Sequence, residues 1–336
     1  MLSIMTRTRI GLQIPNFTWP GVAPDELFER IVAVAVAGEQ SGFDTIFVMD
    51  HFFQLPLIGP PELEMFEAYT LLGAIAARTS TARLGTLVTG VTYRNPALLA
   101  KAVTALDVIS RGRALLGIGA AWYDIEHEAL GVPFPPISER YELLEDALRI
   151  CRAMFTERQS TVVGTHHSVT GAWNSPAPIT PGGPPILVGG SGERKTFRLA
   201  AQYADELNIN ASFVDMPRKV EALEGHLSAL GRDRSQITVS CLGTIVTAPT
   251  HDEAAAKVAG LMRSRGLDDA ESLLRDPELT ATFLPRFLWG DADDVGEQVD
   301  QLLAAGLDGI VVNMIVDGHD PEAVARAGQT LSKALP

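Results

Sequence analysis

Along the chain, short runs of β-branched and apolar residues alternate with longer stretches whose apolar positions recur at helical spacing. That alternation argues for parallel strands joined by helical crossovers. Strands are predicted over residues 9–14, 45–49, 83–88, 113–118, 186–188, 206–210, 238–246 and 309–315. Helices are predicted over 25–40, 67–78, 96–109, 138–155, 194–204, 216–230, 295–305 and 321–335. Ser138, with Tyr141 and Glu142, reads as the N-cap of one helix. Gly42, Gly112, Gly231 and Gly306 stand near the C′ position of others, where a left-handed residue closes the last turn.

Eight strands with helices between them predict an α/β fold, the (β/α)8 TIM barrel, which needs about 250 residues. The surplus of this 336-residue chain falls in two insertions. Residues 156–185, after strand 4, are rich in Gly, Pro, Ser and Thr with short β-like runs. Residues 250–291, after strand 7, are polar and partly helical, with Pro277 and Pro285. No repeat, linker or shift of composition divides the chain, so a single barrel domain over 1–336 is expected. A doubly wound sheet competes with it and differs in strand order, which a sequence does not carry.

Composition narrows the function. Hydrophobic residues make up 46% of the chain, enough for a large core and too many for a disordered one. Lys and Arg number 27 against 41 Asp and Glu, a formal charge of −14. Such a chain has no electrostatic footprint for nucleic acid and is unsuited to an anionic membrane surface. Lysine is scarce (Lys101, Lys195, Lys219, Lys257 and Lys333), so an anion must be met locally by arginine or helix N-termini. Cys151 and Cys241 lie far apart in apolar runs and read as inert core thiols, neither a disulfide framework nor a zinc site. Met1 to Arg9 contains no continuous apolar run, and no stretch approaches the roughly 18 apolar residues of a membrane span. A reducing, cytoplasmic setting is expected.

A barrel gathers its chemistry at the C-terminal ends of its strands. After strand 2 comes Met49-Asp50-His51-Phe52-Phe53, and Asp50-His51 is the leading acid/base candidate. Neighbours on an extended chain point to opposite sides. His51 is therefore expected to face the pocket as base or hydrogen-bond donor, with Asp50 turned back to fix the loop. His127, between Glu126 and Glu128, reads as part of an exposed charged face. His166-His167 reads as solvated, and His226, His251 and His319 show no partner. No metal set emerges.

Gly189-Gly190-Ser191-Gly192-Glu193-Arg194-Lys195-Thr196 is not a P-loop, because Arg194 stands where Gly must precede Lys-Ser/Thr. Gly117-x-Gly119-x-x-Trp122 is not a dinucleotide fingerprint, since its third glycine is a tryptophan. Yet small residues between a buried strand and a helix let backbone N–H groups approach an anion, and the helix N-terminus adds a favourable dipole. Gly189, Gly190, Ser191 and Gly192 are thus a candidate phosphate seat.

Together these segments resemble the luciferase-like monooxygenase family of flavin- or deazaflavin-dependent (β/α)8 enzymes. The likeness rests on Phe43-Asp44-Thr45-Ile46-Phe47-Val48-Met49-Asp50-His51-Phe52, Arg94-Asn95-Pro96-Ala97-Leu98-Leu99-Ala100-Lys101, Gly112-Arg113 and Leu116-Gly117-Ile118-Gly119-Ala120-Ala121-Trp122. It continues in Pro185-Ile186-Leu187-Val188-Gly189-Gly190-Ser191-Gly192 and Tyr203-Ala204-Asp205-Glu206-Leu207-Asn208. The resemblance implies a reduced flavin-type ring at the mouth of the barrel, held by Asp50, His51, Thr86, Leu87, Thr89 and the glycine loop. A non-proline cis peptide near the end of strand 3, by position Thr86–Leu87, is also implied.

The local motif forms are most like members that use the deazaflavin coenzyme F420, with FMN as the alternative. Coenzyme F420 implies hydride transfer. FMN implies oxygenation, with a separate reductase as partner. A third reading is a flavin- or deazaflavin-binding protein without turnover. In the sugar-phosphate dehydrogenase branch an acid follows Gly-x-Gly after strand 4, and here that position is Ala120, which argues against a sugar phosphate. The expected substrate is a small, fairly apolar molecule in a pocket lined by Phe17, Trp19, Phe52, Phe53, Trp122 and Tyr123. The family also implies a homodimer.

Overall fold

The computed structural model describes residues 8–335. The expectation about a leader at Met1 to Arg9 therefore falls almost wholly outside them. Its strands are β1 (Ile10–Ile14), β2 (Thr45–Val48), β3 (Arg83–Thr86), β4 (Thr89–Gly90), β5 (Leu116–Gly119), β6 (Gln159–Val162), β7 (Val169–Trp173), β8 (Ile186–Gly189), β9 (Glu206–Ile209), β10 (Thr238–Thr247), β11 (Phe287–Gly290) and β12 (Gly309–Asn313). The α-helices are α1 (Leu27–Ser41), α2 (Ala68–Ala76), α3 (Pro96–Ser110), α4 (Asp124–Leu130), α5 (Ile137–Thr156), α6 (Thr196–Tyr203), α7 (Met216–Ala229), α8 (His251–Ser264), α9 (Ala270–Leu274), α10 (Pro277–Phe283), α11 (Ala292–Ala304) and α12 (Pro321–Ala334).

The main sheet runs β3-β2-β1-β12-β10-β9-β8-β5-β4, every pair parallel. A bridge between Leu84 and Ala114 brings β3 against the start of β5 and nearly closes the ring. β3 and β4 are two halves of one barrel position, so the ring has the eight positions that the alternation predicts. Strands such as β1 and β2 are buried at every residue because one face lines the barrel and the other meets the helices. The interior is crowded. A Cβ on Gly117 would stand 1.8 Å from the Thr86 carbonyl oxygen, so only glycine lets β5 lie against strand 3.

Four local expectations change. Strand 83–88 is interrupted, and its cis bond is Leu87–Val88 rather than Thr86–Leu87. Helix α5 begins at Ile137, with Pro136 at the N-cap position and no side-chain cap, so Ser138 lies inside the first turn. The first insertion holds the antiparallel hairpin β6–β7. The second holds α8 to α10 and also β11, which pairs in parallel with the far half of β10, Thr244 to Thr247. The C′ glycines Gly42, Gly112, Gly231 and Gly306 all have positive φ.

One large cluster forms the core, and a smaller one of Val246, Val258, Ala259, Met262, Ala270 and Leu284 lies under the second insertion. Cys151 and Cys241 are fully buried, and burial pushes both thiols up to about 12, which keeps them protonated and inert. Among the described residues no helix is long and apolar enough to cross a membrane, and no three His, Cys, Asp or Glu side chains gather as a metal set.

Candidate functional site

A cleft of about 580 Å³ opens at the C-terminal ends of the barrel strands. His51, Leu87, Trp122 and the whole of Gly189–Gly192 line it. Four of the segments singled out in the sequence therefore converge where a barrel places function.

His51 follows β2 directly. Its Nδ1 is 3.0 Å from Glu126 Oε2, and among the described residues its Nε2 has no protein partner. Glu126, on α4, is fully buried, and its two oxygens are ringed by donors. Oε1 accepts from the backbone N–H of Phe52 and, at 2.8 Å, from that of Phe53. Oε2 accepts from the Tyr93 hydroxyl as well as facing His51. Burial alone would raise the Glu126 carboxyl, but His51, Tyr93 and the Phe52 N–H more than offset it and hold it below the usual glutamate range. The Tyr93 hydroxyl is pushed up, by burial and by Glu126.

Asp50 faces the other way, as expected of its neighbour's alternate. It is 1% exposed and does not line the cleft. Arg94 donates to both its oxygens, at 2.9 Å from Nη2 to Oδ1, and to Glu67 at 2.5 Å. Burial pushes Asp50 up while Arg94 pulls it down. The Arg94 guanidinium rests 4.9 Å above the Tyr69 ring.

Beneath strand 3, Thr86 and Thr89 are fully buried and bonded to each other at 3.0 Å, Thr86 also donating to the Gly117 carbonyl. Tyr69 meets Thr89 at 2.8 Å. Neither threonine lines the cleft, so the structure does not bring them to a ligand as the resemblance implied. Leu87 does line it. Its carbonyl accepts from Gln13 Nε2 at 2.9 Å, and Gln13 is joined through Asn313 to Thr244, all three on the cleft wall.

The glycine loop lies along the cleft wall between β8 and α6. Gly190 has φ of +146°, and its N–H donates to Asn208 O at 3.0 Å. A Cβ on Gly192 would come within 2.9 Å of Thr196 Oγ1 and 3.0 Å of the Tyr141 hydroxyl. Lys219 draws the Ser191 carbonyl outward at 2.8 Å and pairs with Glu193.

The aromatic pocket is corrected in most of its members. Phe17 is core, packed edge-on against Phe66. Trp19 lines a separate cavity of about 210 Å³ beside β1. Phe52 and Phe53 are half-buried but turned from the cleft, and Tyr123 is buried with its hydroxyl 3.5 Å from Gln54 O. Only Trp122 lines it, 59% exposed and stacked on Tyr123. The apolar wall comes instead from Leu55, Leu57, Ile58, Leu242, Phe287 and Ile315. Arg265 and Arg286 also face in. Burial lowers both, Arg286 donates to Asn210 Oδ1, and Arg265 donates to Leu57 O at 2.8 Å.

Glu126 and His127 are the residues that sequence reasoning missed, since both are buried rather than on an exposed face. His127 is held by Tyr123 O at 2.7 Å and Thr92 Oγ1 at 2.6 Å and stacks on Tyr93. The spacing of Tyr123, Glu126 and His127 is that of one helix face, which was the signal available.

Comparison with known proteins adds to this geometry. A family model described as luciferase-like monooxygenase matches residues 8–309. An F420-dependent glucose-6-phosphate dehydrogenase of Microbacterium testaceum is 31% identical over 70% of this chain and 68% of that one. The 5,10-methylenetetrahydromethanopterin reductase of Archaeoglobus fulgidus is 25% identical over 93% and 97%. A solved F420-dependent secondary alcohol dehydrogenase, in complex with an F420-acetone adduct, shares the fold with a TM-score of 0.76 at 19% identity, covering 98% of this chain and 99% of that one.

Proposed function

Because the chain belongs to the luciferase-like monooxygenase family, we propose that it is a coenzyme F420-dependent oxidoreductase moving a hydride to or from a small, fairly apolar organic molecule. The observation that carries this reading is the meeting in one cleft of a carboxylate-anchored histidine, His51, with a shelf of small residues, Gly189 to Gly192. The shelf fits a phosphate. The Gly190 N–H is already given to Asn208 O, so the N–H groups of Ser191 and Gly192 would meet the anion, and the crowding that a Cβ on Gly192 would cause explains a glycine there. Gly189, Gly190, Ser191 and Gly192 would hold the phosphate, and Leu87 would support the ring, its carbonyl fixed by Gln13. Bound there, coenzyme F420 supplies a carbon that gives or takes a hydride and does not activate oxygen.

His51 would hold or take the proton of a substrate hydroxyl at Nε2, and Asp50 would anchor the loop that carries it. Leu55, Ile58, Leu242 and Phe287 would exclude water from the reacting groups. The relatives named for F420 support the cofactor choice. In this reading the chain is a single domain acting as a homodimer in the cytoplasm.

Anaerobic titration of the purified protein with each cofactor, at equal ionic strength, tests it. Quenching of cofactor fluorescence should report tighter binding of F420 than of FMN. Tighter FMN binding, with oxygen consumed on reduction, replaces it with a monooxygenase served by a separate reductase.

A further inference from the structure

A carboxylate has about four lone-pair sites to offer. Those of Glu126 are all engaged, two by the Phe52 and Phe53 N–H groups on Oε1 and two by the Tyr93 hydroxyl and His51 Nδ1 on Oε2. The group is fully buried, so an acceptor left without a donor there would be costly. Three of its four partners are donors by their chemistry: two backbone N–H groups and a hydroxyl. A proton on the carboxyl would displace one of them. The fourth contact, at 3.0 Å, is consistent only with a ring that donates.

We propose that Glu126 is a positioning residue that locks His51 in the tautomer with its proton on Nδ1, leaving the lone pair on Nε2, on a side chain that lines the cleft. The lock deepens the role proposed for His51 and rests on that reading only for its effect on rate, because the tautomer is a property of the ligand-free protein.

The same geometry dictates what an isosteric amide does. In Glu126→Gln one end of the side chain accepts and the other donates. Phe52 and Phe53 both present N–H groups, so the amide oxygen must turn to them and the NH2 must turn to His51 and Tyr93. His51 Nδ1 then has to accept, and its proton moves to Nε2. The substitution alters no volume and inverts the ring. In an acyl-transfer triad, a wrong tautomer produced by this kind of change lowers turnover by about 10⁴.

The test is long-range proton–nitrogen correlation NMR on ligand-free protein labelled with ¹⁵N-histidine, at a pH where the ring is neutral, with the His51 signal assigned by its loss in His51→Asn. The wild type should show a protonated Nδ1 and a bare Nε2. Glu126→Gln should show the reverse. Tyr93→Phe, which removes only the other donor on Oε2, should keep the wild-type pattern. A wild-type His51 protonated on Nε2, or an unchanged tautomer in Glu126→Gln, overturns the proposal. If Glu126→Gln does not fold, the wild type and Tyr93→Phe still decide it.

Turnover separates this proposal from the functional reading. With the tautomer inverted, kcat should fall by roughly 10²–10⁴ with KM little changed. An inverted tautomer with undiminished kcat confirms the lock and removes His51 from the proton chemistry. A lowered kcat with the tautomer unchanged removes the lock and leaves His51 in place.

Discussion

Arg94 grips both carboxylate oxygens of Asp50 and so holds that side chain under the loop whose next residue, His51, lines the cleft. The pair is an anchor rather than a reactive couple. Asp50 is 1% exposed, and the Arg94 side chain keeps Glu67 as a second, partly exposed partner.

Removing one member of a buried ion pair costs about 3–5 kcal/mol when the other is left unpaired, and less here because Arg94 keeps Glu67. Asp50→Ala should lower the urea midpoint accordingly and loosen cofactor binding as the loop slackens. Asp50→Ala combined with Arg94→Met should recover part of the lost stability. Strict additivity of the two substitutions would show that the residues act independently.

His51 carries the sharpest functional expectation. A positioned acid/base contributes roughly 10²–10⁴ in rate, so His51→Ala should cut turnover by that order while cofactor affinity holds. His51→Asn keeps a hydrogen-bonding side chain but cannot exchange a proton near neutrality. Near-wild-type turnover in His51→Asn would mean that the residue only orients its ligand.

Gly190→Val should weaken cofactor binding. Its φ of +146° disfavours any side chain, and a Cβ there meets Thr196 Cγ2 at 3.2 Å. Loss of one charge-assisted hydrogen bond is worth about 1.5–3 kcal/mol, or ten- to over a hundredfold in the dissociation constant. The circular dichroism spectrum should not change. An unaltered dissociation constant would move the phosphate elsewhere.

Acid should act partly through Glu126. Its carboxyl is held below its ordinary value of 4.5 in the folded protein and returns to it when unfolded. The unfolded chain therefore binds the proton first as pH falls. The stabilisation by this group is fully present above about pH 5 and is lost as pH drops through the lower, folded value. The stability gap between wild type and Glu126→Gln, read from denaturant curves, should be widest near neutrality and shrink below pH 4. A gap independent of pH would mean that the carboxylate charge is not what matters.

The barrel was legible because each strand buries both faces, so its apolar run needs no partner to be recognised, and the crossovers supply the contrasting period. Asp50 and His51 were legible from the strand-end rule and the two-residue alternation together. Glu126 was not. Helix α4 is seven residues long, and its inward face is made of Tyr123, Glu126 and His127, so hydrophobic periodicity reads it inside out. The aromatic pocket failed for a related reason. Phe52 and Tyr123 stand next to the cleft residues His51 and Trp122 in the chain, but adjacency on a loop does not say which side each ring takes. The cis bond was misplaced by one residue because family spacing locates a loop less finely than the backbone does.

The strand β11 has a separate consequence. It lengthens one wall of the cleft from an insertion whose small core is shared with Val246 of β10, and it brings Phe287 and Arg286 to the mouth without contributing a rung to the ring of eight. Changes within residues 250–291 would reshape this wall of the cleft while the ring of eight strands, closed without β11, keeps its register.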